Sequence, residues 1–385
     1  MAQFELLGGV AEVPREEWNA LVADESPFLE WDWLVALEES GAVGPKAGWG
    51  PRPLVARENG SLVAACPVYV KGHSEGEFVF DWGWADAAYR AGIEYYPKLL
   101  VGIPFTPVTG GRLLTAPDRD RAPLIGQMAE ALREVCSSNR LSGVHVNFCR
   151  DDEREALEQA GYLPRLGFQY HWRNRGYSDF EGYLGSLRSK RRNQVRRERR
   201  ELAAQGVEIV RLVGDEIPEE LVPAMWQVYL ATVEKNPWGR RYLNRRFFEL
   251  LHERFRSRLC FVVARRGEEI LAGAVNVQKG DTLYGRYWGC FRELRNLHFN
   301  VCYYAGIEHC IGSGLARFEP GAGGSYKQSR GFDATPTWSA HFLADERLST
   351  AVAQYLEAER GEARESIAWY AAHTANRRDG TSRDD

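Results

Sequence analysis

The 385 residues amount to two to three domains at about 150 residues each. With 44% hydrophobic and 26% charged residues, they exclude a disordered or fibrous protein and suffice for a buried core. Lysine plus arginine (49) against aspartate plus glutamate (53) gives a net charge of −4, so the molecule as a whole is no general polyanion binder.

Along the chain, the N-terminal stretch carries Glu5 and lacks the basic and apolar regions of a signal peptide. No run of about 18 apolar residues exists for a membrane span. The seven cysteines are odd in number and form no Cys-x-x-Cys pair, which argues for reduced thiols and against a structural metal. A cytoplasmic chain with no metal is the expectation. Pro14 opens a helix, and residues 54–70 read as strand, turn and strand. An aromatic strand is expected at 77–86 and an aromatic-rich segment at 95–102. Residues 122–137 have helical spacing, 143–149 form a strand, and an acidic helix runs from 151 to Gly161.

The first domain is placed at 1–165 and a connector at 166–175. A second domain, 176–345, opens with a long helical run to Gly206 and a strand at 207–213. Helices follow at 218–235 and 244–255, then a hairpin over 262–290. A helix at 298–314 and strands at 315–322 and 337–343 complete it. Residues 346–385 are a helix and a polar tail, frayed from about 375. Residues 262–278 repeat the plan of 54–70 after 208 positions, each opening on Val-Ala-Arg, which points to duplication. The downstream segments YYPKLLVG and CYYAGIEHC are expected to correspond as well. Among 12 tryptophans and 17 tyrosines, those of DWGW (81–84), YYPK (95–98), QYHW (169–172), RYWG (286–289) and CYY (302–304) fall at matching places in the two halves and at their junction, as in a ligand cleft shared by two domains.

Three constellations carry chemistry. Over 188–200, eight of thirteen residues are lysine or arginine, a local field suited to phosphates even in a net-negative protein. The same run serves equally as a solvated helix face. Next, Glu319 ends a strand, glycines at 321, 323 and 324 let a ligand approach the backbone, and Lys327 and Arg330 follow. A bland alternative is a glycine loop with a Glu319–Lys327 salt bridge. Last, Asp81, Trp84, Asp86, Tyr96 and Lys98 combine aromatic platforms with charges, while Gln169 and His171 lie in the connector. These sets also suit ordinary core packing. No Gly-x-Ser-x-Gly elbow, His-Glu-x-x-His, Walker loop or Gly-x-Gly-x-x-Gly is present.

Three segments, 95–112 (YYPKLLVGIPFTPVTGGR), 170–200 (YHWRNRGYSDFEGYLGSLRSKRRNQVRRERR) and 297–332 (LHFNVCYYAGIEHCIGSGLARFEPGAGGSYKQSRGF), resemble the FemAB-like N-acyltransferases. The resemblance implies an α/β fold with mixed sheets, built of two tandem GNAT-like acyltransferase domains. It also implies relatedness to the Fem peptidyltransferases, which move an aminoacyl group from charged tRNA to an amine of a cell-wall precursor. Ser325-Tyr326 replaces the Glu-His of the family pattern, and Asn300 replaces its Glu; Lys327 and Arg330 match. The phosphate loop of acetyl-CoA enzymes, Arg/Gln-x-x-Gly-x-Gly/Ala, is missing before His298.

The expectation is therefore an enzyme without bound cofactor that transfers an aminoacyl group from aminoacyl-tRNA to a small-molecule or peptide amine. Glu319, Lys327 and Arg330 would be catalytic, Glu319 as base or amine-orienting group and the two cations holding a substrate anion. Lys190, Arg191, Arg192, Arg196 and Arg197 would attract the tRNA. Asp81, Trp84, Asp86, Tyr96, Lys98, Gln169, His171, His298, Tyr304 and Tyr326 would bind substrate. An acyl-CoA donor, or a non-catalytic peptide- or RNA-binding module, are the alternatives.

Overall fold

Two β-hairpins built to one register anchor the fold. Leu54–Glu58 pairs antiparallel with Ser61–Cys66, from Leu54↔Cys66 to Glu58↔Ser61, with a bulge between Ala56 and Arg57. In the hairpin of Leu259–Arg266 and Glu269–Lys279, Val262↔Ala274 to Arg266↔Glu269 repeats that register, and the bulge falls between Ala264 and Arg265. Every one of these positions is displaced by 208 residues, the spacing seen in the sequence. A bulge is a specific local kink, so its recurrence at the same place supports duplication more strongly than shared residue types do.

The computed structural model describes residues 2–235 and 240–377. The chain divides into one unit of residues up to Gly167 with Pro336–Glu365, and another of Phe168–Thr335 with the residues from Ser366. In the first, Gln3–Leu6 pairs with Leu54–Glu58; in the second, Glu208–Val213 pairs with Leu259–Arg266. Val68–Lys71 pairs antiparallel with Lys98–Val101, which lies parallel to Gly143–Cys149. Correspondingly, Glu269–Lys279 pairs with Thr282–Cys290, which lies parallel to Arg317–Glu319.

Parallel neighbours require a crossover, and a helix supplies it in each unit: Arg121–Ser138 and residues 297–312. Both helices end alike. Leu141 N–H donates to Cys136 O (2.9 Å), and Leu315 N–H to Cys310 O (2.8 Å). The last strand of each unit reaches it mid-strand. The second half of Leu163–Arg173 pairs with Arg317–Glu319, and the second half of Asp333–Leu343 pairs with Gly143–Cys149.

Apolar side chains close each core: Val68, Met128, Leu132 and Val144 in the first unit, Trp172, Ile307, Phe318 and Phe332 in the second. Gly289 shows how tightly the helix Val222–Lys235 packs on the second sheet, because a Cβ there would lie 1.9 Å from Val228 O. Among the described residues, no helix is long and apolar enough to cross a membrane.

Three local expectations are corrected. Residues 77–81 form a loop followed by the helix Trp82–Arg90 rather than an aromatic strand, since Glu77 and Asp81 turn inward to a buried Lys98. YYPKLLVG contributes a strand whereas CYYAGIEHC is helical, so these segments do not correspond. The chain is anchored beyond 375: Ala375 and Asn376 are buried, Asn376 bridges to Leu187, and Arg377 N–H donates to Ser186 O at 2.8 Å. The rest of the expected tail, 378–385, lies outside the described residues.

Candidate active site

Glu319 sits where two strands part. Thr282, Leu283 and Tyr284 pair with Arg317, Phe318 and Glu319; beyond them Thr282–Cys290 continues while the other strand ends at Glu319, before Pro320. On the far side, Trp172 pairs with Phe318, which brings His171 beside Glu319. Both side chains are buried. His171 Nε2 and Glu319 Oε2 face each other at 3.8 Å, too far for a hydrogen bond. Neither atom has another hydrogen-bond partner among the described residues. Glu319 Oε1 instead takes Arg317 Nε at 3.2 Å.

The electrostatics follow from burial. Loss of water pushes the Glu319 carboxyl up to about 7 against the pull of Arg317. Burial, reinforced by Arg317, Arg173 and Lys327, drives the His171 imidazole down to about 3. At neutral pH the pair is a half-ionised carboxyl group and a neutral imidazole.

The segment after Glu319 needs its glycines. Gly321, Gly323 and Gly324 have φ of 89°, 70° and 83°, values that suit glycine. At Gly321 a Cβ would also come 3.3 Å from Gly285 O, so the loop lies close on the neighbouring strand. Buried Lys327 fastens it, donating from Nζ to Gly321 O (2.6 Å) and Ala322 O (3.4 Å). Burial draws this ammonium down to about 8. Exposed Tyr326 meets His298 edge-on, with ring centroids 5.8 Å apart, and His298 packs on Trp288 at 4.4 Å. Burial, with Arg330 and Lys327, brings His298 down to about 4. A cavity of about 430 Å³ adjoins this ring pair, lined by Thr232, Lys235, Trp288, Leu294, Leu297 and His298 among others.

Arg330 is occupied differently from the expectation. Its Nε donates to Tyr304 Oη (2.8 Å), its Nη1 to Tyr326 O and Ser329 Oγ, and its Nη2 to both oxygens of Glu198 (2.8 and 2.9 Å). A guanidinium has five N–H groups, so none remains for a substrate anion. Tyr304 also donates to Glu198, and Asn300 donates to Glu198 O at 3.3 Å. Arg330 and Tyr304 thus join the helix Ser189–Ala203 to the segment Ser325–Arg330. Asn300 opens a π-helical turn, Asn300–Tyr304, a feature frequent near functional sites.

The outer face of Ser189–Ala203 carries the basic run. Lys190, Arg196 and Arg197 are exposed, and Arg191 and Arg192 half-buried. Arg196 pairs with Glu181 (2.5 Å), Arg197 approaches Glu201 (4.0 Å), and Arg191 donates to Gln194 (3.1 Å). Lys190, Arg192 and Arg200 have no acidic partner among the described residues.

In the first unit, the expected residues mostly engage one another. Lys98 is fully buried and its three N–H groups go to Ser74 (2.9 Å), Glu77 (2.9 Å) and Asp81. Asp81 also accepts from Tyr95, at 2.7 Å, and Tyr96 bonds to Ser74, at 2.7 Å. Trp84 is buried edge-on against His341 at 4.9 Å, and exposed Asp86 pairs with Arg90. Gln169 is buried in the second unit, close in sequence to His171. Sequence reasoning missed Glu198 as the partner of Arg330, because a lone acid inside a basic run reads as surface. It also missed Lys71, Glu77, His145 and His341. The available signal for the last was His-aromatic on a strand, shared by His171-Trp172 and His341-Phe342.

A family profile described as peptidoglycan biosynthesis or recognition, FemAB-like, matches residues 9–378. The chain belongs to the FemAB-like family. Among solved structures, FemX is similar at 11% identity with a TM-score of 0.55, covering 89% of this chain and 98% of its own. The C-terminal domain of a putative lysylphosphatidylglycerol synthetase from Agrobacterium fabrum is similar at 11% identity and TM-score 0.56, covering 89% and 95%. The structure of L-PGS from Bacillus licheniformis is similar at 10% identity and TM-score 0.51, covering 83% and 93%. No curated protein sequence matches. These likenesses are of fold. The FemAB-like chain has a mixed α/β fold like that of FemX, and its family makes it an acyltransferase.

Proposed function

We propose that this FemAB-like protein forms an amide by moving an aminoacyl group from aminoacyl-tRNA to the amine of a small molecule or peptide. The observation that carries the reading is buried Glu319, whose Oε2 lacks a hydrogen-bond partner among the described residues where the two parallel strands separate. A carboxyl group titrating near neutrality is suited to accept the amine proton. In the direct reaction, nitrogen attacks the ester carbonyl, the N–C bond forms and the C–O bond to the tRNA ribose breaks. The proton leaving nitrogen passes to Glu319 and then to the departing ribose oxygen, so the carboxylate is regenerated. Lys327 keeps the glycine loop against the site and places a cation near the developing oxyanion. Holding the two reactants together supplies much of the acceleration, since effective molarities can reach ~10⁵ M.

Two features favour tRNA over acyl-CoA as donor. The helix Ser189–Ala203 presents Lys190, Arg192 and Arg200 without acidic partners among the described residues, as binding to a phosphate backbone requires. The loop before the helix at 297 has no glycine to cradle a pyrophosphate. Its cations face acids instead: Arg292 with Glu269 (2.8 Å) and Arg295 with Glu201 (3.3 Å). The test is to incubate the protein and a mixture of amines with radiolabelled pools of aminoacyl-tRNA or acyl-CoA. Amine-dependent loss of label from tRNA supports the reading, and loss from acyl-CoA alone overturns it.

A further inference from the structure

The two units build one side-chain pair twice, with different chemistry. In the first unit, Leu100 pairs with His145 across the parallel strands, and His145 faces His341 on the next strand. In the second, Tyr284 pairs with Glu319, and the neighbouring strand supplies His171. Glu319 therefore occupies the place of His145, and His171 that of His341. In the first unit the facing atoms bond to each other, and the outer His145 Nε2 is left without a hydrogen-bond partner among the described residues. His145 Nδ1 and His341 Nδ1 share a hydrogen bond of 2.8 Å, and His341 Nε2 bonds to Ser339 Oγ at 2.9 Å. In the second unit the facing atoms stand 3.8 Å apart and neither is satisfied among the described residues.

We infer that His171 Nε2 and Glu319 Oε2 form a two-acceptor socket for the acceptor nitrogen, and that the socket selects primary amines. The inference rests on the transfer reaction proposed above and specifies its acceptor. A nitrogen about 2.8 Å from both atoms would see them at about 85°, given their 3.8 Å separation. That is close enough to a tetrahedral angle for two slightly bent N–H bonds. An attacking primary amine directs its lone pair at the carbonyl carbon and has two N–H groups left, one for each acceptor. The hydrogen on the Glu319 side transfers as the N–C bond forms; the one on His171 stays on the product amide. A secondary amine satisfies only one acceptor and leaves the other buried and unpaired, a cost that discriminates strongly in enclosed sites. An alcohol likewise has a single hydrogen to offer. His171 accepts in this arrangement as the neutral Nδ1–H tautomer.

The test titrates ¹⁵N-histidine-labelled protein at pH 8 with trifluoroethylamine and, separately, with its N-methyl analogue, amines weakly basic enough to be uncharged there, following the His171 Nε2 resonance assigned by its disappearance in His171→Gln. The inference expects trifluoroethylamine to move that resonance, and the N-methyl analogue to need at least about ten times the concentration for the same shift. Glu319→His, which copies the first unit's closed pair, should fold and lose the response; if it does not fold, Glu319→Gln should weaken the response by a similar factor. An unmoved resonance, or equal responses to the two amines, overturns the socket. No donor takes part in the titration. A normal trifluoroethylamine response without tRNA turnover therefore sinks only the donor assignment, whereas tRNA turnover equally fast with either amine sinks only the socket.

Discussion

A carboxyl group enclosed by protein loses the hydration that favours its charged form, and Glu319 illustrates the consequence for stability. Its folded-state pKa of about 7 lies above the ordinary 4.5. Below about pH 4.5 the group is protonated in both folded and unfolded chains and costs nothing. As pH rises from there to about 7, the unfolded chain releases the proton first, and stability falls. Above that window the penalty is constant, at most about 3 kcal/mol. Glu319→Gln removes it, so urea unfolding at pH 8 should find the variant more stable than wild type, with the difference vanishing near pH 4. A variant less stable than wild type at pH 8 would contradict the burial argument. Lys327→Ala removes the cation and the tie to Gly321 and Ala322. Turnover should fall by about 10²-fold with a single cooperative unfolding transition retained; wild-type turnover would remove Lys327 from the site.

The helix Ser189–Ala203 has two faces with separate tasks. Its inner face presents Glu198 to Arg330, and cutting one partner of a buried pair leaves an uncompensated charge, typically about 3–5 kcal/mol. Glu198→Ala should therefore lower unfolding free energy by that amount, and the double variant with Arg330→Met should recover part of it. The outer face is where RNA would bind. Arg192→Glu with Arg200→Glu should weaken tRNA binding and reduce the magnitude of its log-affinity against log-salt slope by about 2. Arg196→Glu should do less, because Glu181 already holds that guanidinium. An unchanged slope in the double variant would refute the assignment. The sequence shows the outer face plainly, as charge density. The inner face is hidden in it, since Glu198 and Arg330 are 132 positions apart and only the fold makes them neighbours.

At the scale of the molecule, the most legible feature was repetition. The Val-Ala-Arg hairpins match in register and bulge because local strand pairing is written in local sequence. The strand Gly143–Cys149, buried along its whole length, was equally plain, with Val144 and Val146 alternating in it and a glycine at its start. The aromatic segments misled because aromatic content does not distinguish strand from helix: YYPK and CYYA share residues, but the backbone follows the surrounding pattern. Glu319, His171, His298 and Lys327 could be nominated from motifs, yet their grouping depends on a chain that changes unit in mid-strand at Gly167 and returns at Pro336. No local signal marks such a crossing. The same crossing makes the equivalence of His171 with His341 visible only in three dimensions, where a closed pair and an open one can be compared.

The central claim is that Glu319 takes the amine proton during transfer. It is tested most directly by the rate of amine-dependent deacylation of mixed aminoacyl-tRNA between about pH 5 and 9, for wild type and Glu319→Gln. The account predicts a wild-type rate that rises with pH and levels off above about pH 7, where Glu319 loses its proton, and a Glu319→Gln rate lower by about 10²-fold or more without that inflection. A Glu319→Gln rate equal to wild type, or the same inflection in both proteins, would contradict it.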